Sequence, residues 1–383
     1  MLQRLINFFC SLRLTVVFLC LAGLLVFIGT VAQVDEGLYQ AQNRYFRSLL
    51  IWWTPKGTDW KLPIFPGGYF IGGVLLVNLL SAHVQRFKFT PKKIPIFVIH
   101  AGIILLLVGQ FTTDLGQVES HLRLTEGEAK NFSENGRDSE LAVIDASSIE
   151  FDEVVVIPES RLAADKEIRH EKLPFTIRVK KYLPNSRLAR RAPMAETEPP
   201  PATQGVGQRL TLSAMPLTAK MDERNVPSAV LEIMNGSESL GTWLVSDLLD
   251  ETQPVTVGGK TLQIALRLTR YYKPYSVELL KFTHEKYKGT DTPKNFASRV
   301  RLQRLDSKED RPVDISMNNP LRYGGETYYQ AGFDDKNSRV TILQVVRNPS
   351  WLIPYISCVL VGLGLTGQFL MHLIGFALKR RTK

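Results

Sequence analysis

The chain has 383 residues, a formal charge of +10 and three cysteines, none of them in a C-x-x-C pair. The charge does not mark a nucleic-acid binder. Ten of the 47 basic residues (Arg4, Arg13, Arg86, Lys88, Lys92, Lys93, Lys379, Arg380, Arg381 and Lys383) fall in three acid-free segments beside long apolar runs, and the other 37 balance the 37 acids. The cysteines, Cys10, Cys20 and Cys358, lie in or beside those runs, which excludes a thiol oxidoreductase and a disulfide framework.

Four runs, at about 12–33, 66–84, 94–113 and 351–378, each meet the roughly 18-residue threshold for a transmembrane helix. The expected fold is therefore membrane α-helical with a large extracytoplasmic, mainly-β domain. Residues 1–113 form a membrane region with three helices, 114–349 the β-rich domain, and 350–383 a final helix and basic tail. Positive residues stay inside, so the N-terminus, the 85–93 loop and the C-terminus are expected in the cytoplasm and the 34–65 loop and 114–350 outside. The first run exceeds a secretory h-region and no A-x-A-like site follows it, so it reads as a retained anchor. In the second run, Gly67, Gly68, Gly72 and Gly73 suit close helix packing. Between the first two runs, Tyr45 to Trp53 is short, amphipathic and aromatic, which suits a membrane–water boundary.

The third run carries the first candidate site. His100 lies in a helix expected over 95–113, bounded by Lys92 and Lys93 before it and Asp114 after it. An imidazole in that setting is a functional hypothesis, as ligand or relay, with an interhelical hydrogen bond as the bland alternative. His100 is seven residues past Lys93, and His372 seven before Lys379, so each sits about 10 Å from the cytoplasmic charges by helix rise. Equal depth suits axial ligation or a relay. A proton channel would carry an intramembrane carboxylate, and these spans have none. His83, three residues from Arg86, is expected to snorkel at the boundary.

The external segment reads as β at 175–183, 228–234, 255–268, 298–305 and 339–346, with Gly258-Gly259 as a hairpin turn. One weak helical period lies around 162–172, and 193–207 reads as a surface loop. Gly362-Leu-Gly-Leu-Thr-Gly367 satisfies G-x-G-x-x-G but sits in an apolar run without a βαβ unit, so helix packing explains it better. His284-Glu285 begins like a zincin motif but lacks the second histidine. His121, His170 and His284 read as ordinary strand or surface residues.

Taken together, the layout resembles the ResB (CcsB) proteins of cytochrome c biogenesis. The resemblance rests on GTVAQ closing the first run (29–33), HAGIILLLVGQ (100–110), FTHEKYKGTDTPKNFASRVRLQR (282–304) and ISMNNPLRYGGETYYQAGFD (315–334). It covers nearly the whole chain and is weakest at 186–225. It implies an accessory subunit of a haem export and haem-ligation complex in the bacterial cytoplasmic membrane, working with a CcsA (ResC)-type partner. That partner carries a tryptophan-rich motif, absent here, and the complex attaches haem b to apocytochromes c outside, with thiol-reducing proteins acting indirectly. The resemblance makes His100 a haem axial ligand opposite one from the partner. His372 belongs to no family motif and rests on depth alone. Asn318, Pro320, Tyr323, Tyr329 and Gln330 are the expected docking residues, on a strand–turn–strand in which Pro320 fixes φ and Gly324-Gly325 permits a tight return. No catalytic residue is assigned. Some relatives are fused to the partner; this chain is expected to find it separately. The rival reading is a membrane-anchored sensor whose β domain binds an external ligand.

Overall fold

A computed structural model of the chain describes residues 2–55, 58, 60–86, 90–149, 151–191, 199–218, 220, 223–249, 251–286, 293–304, 306–334 and 336–381. Lys88 and Lys383, 193–198 of the expected loop at 193–207, and 287–292 of the family-like stretch lie outside them. The fold has two compact units. One comprises residues up to 118 and from 348 onward; the other runs over Glu119–Thr218 and Glu223–Arg347.

The first unit holds four helices long and apolar enough to cross a membrane: α1 (Leu12–Glu36), α2 (Gly68–Arg86), α3 (Ile94–Gly116) and α4 (Ile353–Arg381). α3 continues past Asp114, because Arg47 pairs with that carboxylate at 2.8 Å and relieves the cost of its charge. The stretch expected at a boundary is folded: Tyr45 is buried among Leu25, Ala41 and Ile71, and β1 (Leu50–Trp53) pairs antiparallel with β2 (Leu62–Pro66).

α3 and α4 pack antiparallel through glycines. A methyl group on Gly102 would lie 2.8 Å from Val361 and 2.9 Å from the Ser357 carbonyl, and one on Gly364 would lie 2.7 Å from the Pro95 carbonyl. Thr112 and Ser350 hydroxyls, 2.7 Å apart, tie α3 to the turn that leads into α4 at their other end. Within G-x-G-x-x-G, Gly364 and Gly367 both face Pro95, as helix packing predicts, whereas Gly362 faces open space. The glycines of α2 divide in the same way. Gly67 and Gly68 lie against the backbone of Ser48 and Phe46, but nothing comes within 4 Å of a Cβ at Gly72 or Gly73. The expectation of close packing is therefore corrected for that pair.

Among the described residues the second unit is mainly β, with one short helix and a 3-10 turn. In chain order its strands are β3 (Val118–Thr125), β4 (Ala129–Asp145), β5 (Glu153–Pro158), β6 (Glu167–Ile168), β7 (Thr176–Leu183), β8 (Ser186–Arg190) and β9 (Leu210–Ala214). There follow β10 (Ser228–Asn235), β11 (Glu238–Ser246), β12 (Gln253–Val257), β13 (Lys260–Lys286), β14 (Pro293–Arg304), β15 (Glu309–Ser316), β16 (Leu321–Tyr323), β17 (Glu326–Asp334) and β18 (Asn337–Arg347). A ten-stranded sheet runs β15-β14-β13-β4-β3-β18-β17-β16, with β12 on β13 and β5 on β4; a four-stranded sheet runs β11-β10-β7-β6. The helical period around 162–172 gives only Glu159–Ala164, since Ile168 is drawn into pairing with Ile177 and is fully buried.

β13 organises this unit. Its first half, through Leu262, Ile264 and Leu266, packs with Ile177, Leu231 and Val245 of the four-stranded sheet. Its second half, through Tyr275, Val277, Leu279 and Phe282, shares a separate core with Leu302, Tyr328 and Leu343. Its pairing with β4 breaks between Tyr272 and Val277, around Pro274, whose missing N–H cannot serve a ladder.

Because Gly364 meets backbone, a Gly364→Leu variant should force α3 and α4 apart and lower stability by about 2 kcal/mol. Gly362→Leu, facing open space, should leave it unchanged. Thermal unfolding of the two variants in detergent decides this; equal midpoints would refute the packing account.

Candidate functional site

The four long helices bring together a pair of histidines that counting depth from flanking charges does not pair. His100 on α3 lies against His83 on α2, with His100 Nδ1 3.2 Å from His83 Nε2 and the rings edge-to-face at 4.7 Å. His83 is half-buried rather than snorkelling. Its Nδ1 lies 3.1 Å from the carbonyl oxygen of Leu79, one turn earlier.

These contacts fix the proton positions. A carbonyl oxygen only accepts, so His83 Nδ1 carries the hydrogen. In a neutral ring His83 Nε2 then holds a lone pair, and His100 Nδ1–H donates to it. The relay leaves the lone pair of His100 on Nε2, which makes no hydrogen bond to any described residue. A ring nitrogen held by a hydrogen bond on its far side is the usual arrangement of a metal-ligating histidine. The sequence signal for this was the seventeen-residue separation of two histidines across a short loop, which a hairpin of helices brings face to face.

His372 stands apart from this pair. It is exposed on α4, with its Nε2 2.8 Å from Gln368 Nε2. In the antiparallel register Gly364 faces Pro95 and Ile99, at the start of α3. His372, eight residues beyond Gly364, is roughly 12 Å further along. Equal distance from basic residues did not mean equal depth, because α4 outruns α3 at this end. Among the described residues no three His, Cys, Asp or Glu side chains converge on a point that could hold a metal ion. His284 stacks with Phe296 at 4.6 Å and Phe333 at 4.4 Å, as a strand residue.

In the β-rich unit the expected strand–turn–strand is present. Leu321 pairs with Tyr328 and Tyr323 with Glu326 across Gly324-Gly325, whose φ values of 60° and 79° call for glycine. Asn318 lies in the turn that leads to Pro320, and Tyr329 is exposed. Tyr323 donates to Glu309 at 2.5 Å and stands edge-on to Tyr275. Gln330 is turned into the fold: its Oε1 accepts from Ser298 at 2.6 Å and its Nε2 donates to Thr341 at 3.0 Å and to the Gly332 carbonyl at 3.1 Å.

Beside this hairpin lies a polar cluster that the sequence reading missed. Lys273 Nζ contacts both carboxylate oxygens of Glu326, at 2.8 and 2.6 Å, with only 4% of the lysine side chain exposed. The hydroxyls of Tyr275 and Tyr328 each lie 2.9 Å from the same carboxylate. Burial pushes both phenols well above their ordinary value of 10.0, so they act as neutral donors. Its signal was period two: Lys273, Tyr275 and Val277 alternate on one face, and that face is buried.

The hairpin and the polar cluster fall in a segment that the comparisons match. Residues 248–342, from β12 through most of β18, match the ResB-like family. Protein NrfI of Wolinella succinogenes is 28% identical over 142 residues, which is 37% of this chain and 16% of that protein. The match thus spans about a sixth of the relative's length. The resemblance to ResB and CcsB proteins is borne out on this segment.

Since all three polar partners of Gln330 lie inward, Gln330→Ala should lower the stability of the β-rich unit by about 1–2 kcal/mol, by leaving the buried Ser298 and Thr341 hydroxyls only one another. Denaturant unfolding measures it. An unchanged midpoint would release Gln330 from the fold and favour a docking role.

Proposed function

We propose that this chain, with its ResB-like segment as the premise, is an accessory subunit in the export of haem and its ligation to c-type cytochromes. The four long helices anchor it in a bacterial cytoplasmic membrane, with the basic ends inside and the β-rich unit outside. A CcsA-type protein handles the haem beside it, and apocytochromes c meet the complex at the outer face, where Asn318, Pro320, Tyr323 and Tyr329 border the Gly324-Gly325 hairpin. Haem b is cargo here, held in passing.

The observation that carries this reading is the hydrogen-bond relay from Leu79 through His83 to His100. It presents one imidazole lone pair, on an apolar helix, in the tautomer that binds iron. His83, the neighbouring imidazole, has its Nε2 engaged by His100, so the other axial position would fall to the partner. His83 orients the ring; His100 supplies the bond. His372, exposed and bonded to Gln368, has no place in that pair, and any role it has is on another surface.

The test is the full chain co-purified with a CcsA-type partner. His100→Ala should insert and accumulate, lack the haem absorption bands, and leave external cytochromes without haem. His83→Ala should keep the ligand and lose its orienting partner, weakening haem retention about 10- to 100-fold. Haem content and spectrum unchanged in His100→Ala would end the ligand assignment. A reporter fused near Gly205 should read as external, and a cytoplasmic reading there would reverse the orientation.

A further inference from the structure

We propose that a cavity bounded by α1, α2, α3 and the 42–47 turn is a binding site for a neutral, flat, lipid-soluble ring of the membrane quinone class. The cavity measures about 610 Å3, within the range of small-molecule sites. It is separate from the histidine pair. Gln110, on its wall, is ten residues beyond His100 on the same helix, roughly 15 Å away by helix rise.

Four observations converge on this ligand class. The first is available polarity. Gln33 from α1, Gln42 from the turn and Gln110 from α3 all line the space, with Tyr69 of α2. Their amides and the phenol hydroxyl have no hydrogen-bond partner among the described residues. Several polar side chains of the same unit are tied to one another instead: Thr15 with Asn78 at 2.6 Å, Thr112 with Ser350 at 2.7 Å, Thr113 with Asn348 at 3.3 Å. Gln110 is exposed and Gln33, Gln42 and Tyr69 are half-buried, so three amides and a phenol from separate elements stand at the edge of one space and form a polar rim whose hydrogen-bonding groups are free for a ligand.

The second is charge. The charged lining groups are Arg47 and Asp114, and they neutralise one another at 2.8 Å. A phosphate headgroup or a ligand carboxylate finds no free cation there, so a neutral ligand is favoured. The third is shape. Gly72 and Gly73 leave the floor flat, with nothing within 4 Å of where a Cβ would stand, and Phe46 and Phe111 form apolar walls. Gly29 lets the Phe46 ring in: a Cβ there would lie 2.7 Å from it. The fourth is donor–acceptor balance. A glutamine amide donates through Nε2 to a quinone carbonyl and accepts through Oε1 from a quinol hydroxyl, so the same rim accommodates both oxidation states. The GTVAQ and HAGIILLLVGQ stretches each end on one of these glutamines, Gln33 and Gln110.

The experiment uses the full chain in phosphatidylcholine nanodiscs free of quinone. Menadione and a decyl-tailed benzoquinone are titrated by quenching of tryptophan fluorescence. Saturable one-to-one binding is expected for the wild type and for His100→Ala. Gly72→Leu, which fills open space on a regular helix, should abolish saturation. Gln110→Leu should weaken binding about ten-fold, the loss of one hydrogen bond in an apolar site; it carries the test should Gly72→Leu fail to accumulate. Uptake that rises linearly in the wild type, or saturation unaltered in both cavity variants, overturns the proposal. Solvent extraction of protein purified from native membranes gives a second reading: a retained quinone supports the site, and phospholipid alone counts against it. The haem spectrum of His100→Ala is indifferent to all of these outcomes, so the two readings fail separately.

Discussion

Polar groups removed from water must find partners, and both units of this protein are arranged around that constraint. In the helices the partners are few and specific: Asn78 accepts from Thr15, Asp114 pairs with Arg47, and the Thr112 and Ser350 hydroxyls tie α3 to the turn that leads into α4. Each links elements far apart in sequence. In lipid such contacts are worth on the order of 1 kcal/mol apiece, so they select a register more than they supply stability. Close approach is left to glycine, at Gly102, Gly109 and Gly364, where any side chain would meet the facing helix.

The β-rich unit meets the same constraint with a buried ion pair. Lys273 sits where β13 leaves β4, at the Pro274 interruption, and its charge points between the strands of the second core. Glu326 at the return of the β16–β17 hairpin answers it with both oxygens, and Tyr275 and Tyr328 occupy what remains of the carboxylate's hydrogen-bonding capacity. A buried pair of this kind gains little over a well-packed apolar pair, but breaking it is expensive. Its effect is to fix one geometry. Gly324 belongs to it too, since a Cβ there would press on the Tyr275 ring at 2.9 Å. The hairpin and the bend in β13 are therefore set by one cluster, and both lie in the ResB-like segment.

Much of this was legible from residue pattern. Apolar runs longer than a bilayer and strands of period two announce themselves locally, and so did the Gly258-Gly259 and Gly324-Gly325 turns, because each signal is carried by neighbours in the chain. What depended on register was not. His372 and His100 are equally far from basic residues, yet α4 extends beyond the start of α3, and only the glycine contacts reveal the offset. His83 was read from its nearness to Arg86, whereas the α2–α3 hairpin turns it toward His100. Gly72 and Gly73 carry the same pattern as Gly67 and Gly68 but face a cavity, a difference that lives in the neighbours' positions. Lys273 was the one miss within reach of the sequence: an inward charge between Tyr271 and Tyr275 in an alternating strand demands a counter-ion.

The direction of the histidine relay follows from the helix that starts it. Leu79 offers its carbonyl oxygen one turn before His83 in α2, and a carbonyl oxygen can only accept. Had His83 faced a donor at that position, its Nδ1 would be bare, its Nε2 would carry the hydrogen, and His100 would be obliged to accept with Nδ1. The lone pair then facing away from His83 would be lost from His100 Nε2, and with it the capacity to bind a metal through that atom. One backbone carbonyl thus decides, two side chains away, which nitrogen of His100 is available. The other end of the bundle offers no histidine and no net charge, only three amides and the Tyr69 phenol around one space. A bare ring nitrogen at one end and a neutral hydrogen-bonding rim at the other would suit chemically different ligands, and α3, carrying His100 and Gln110, holds one residue of each.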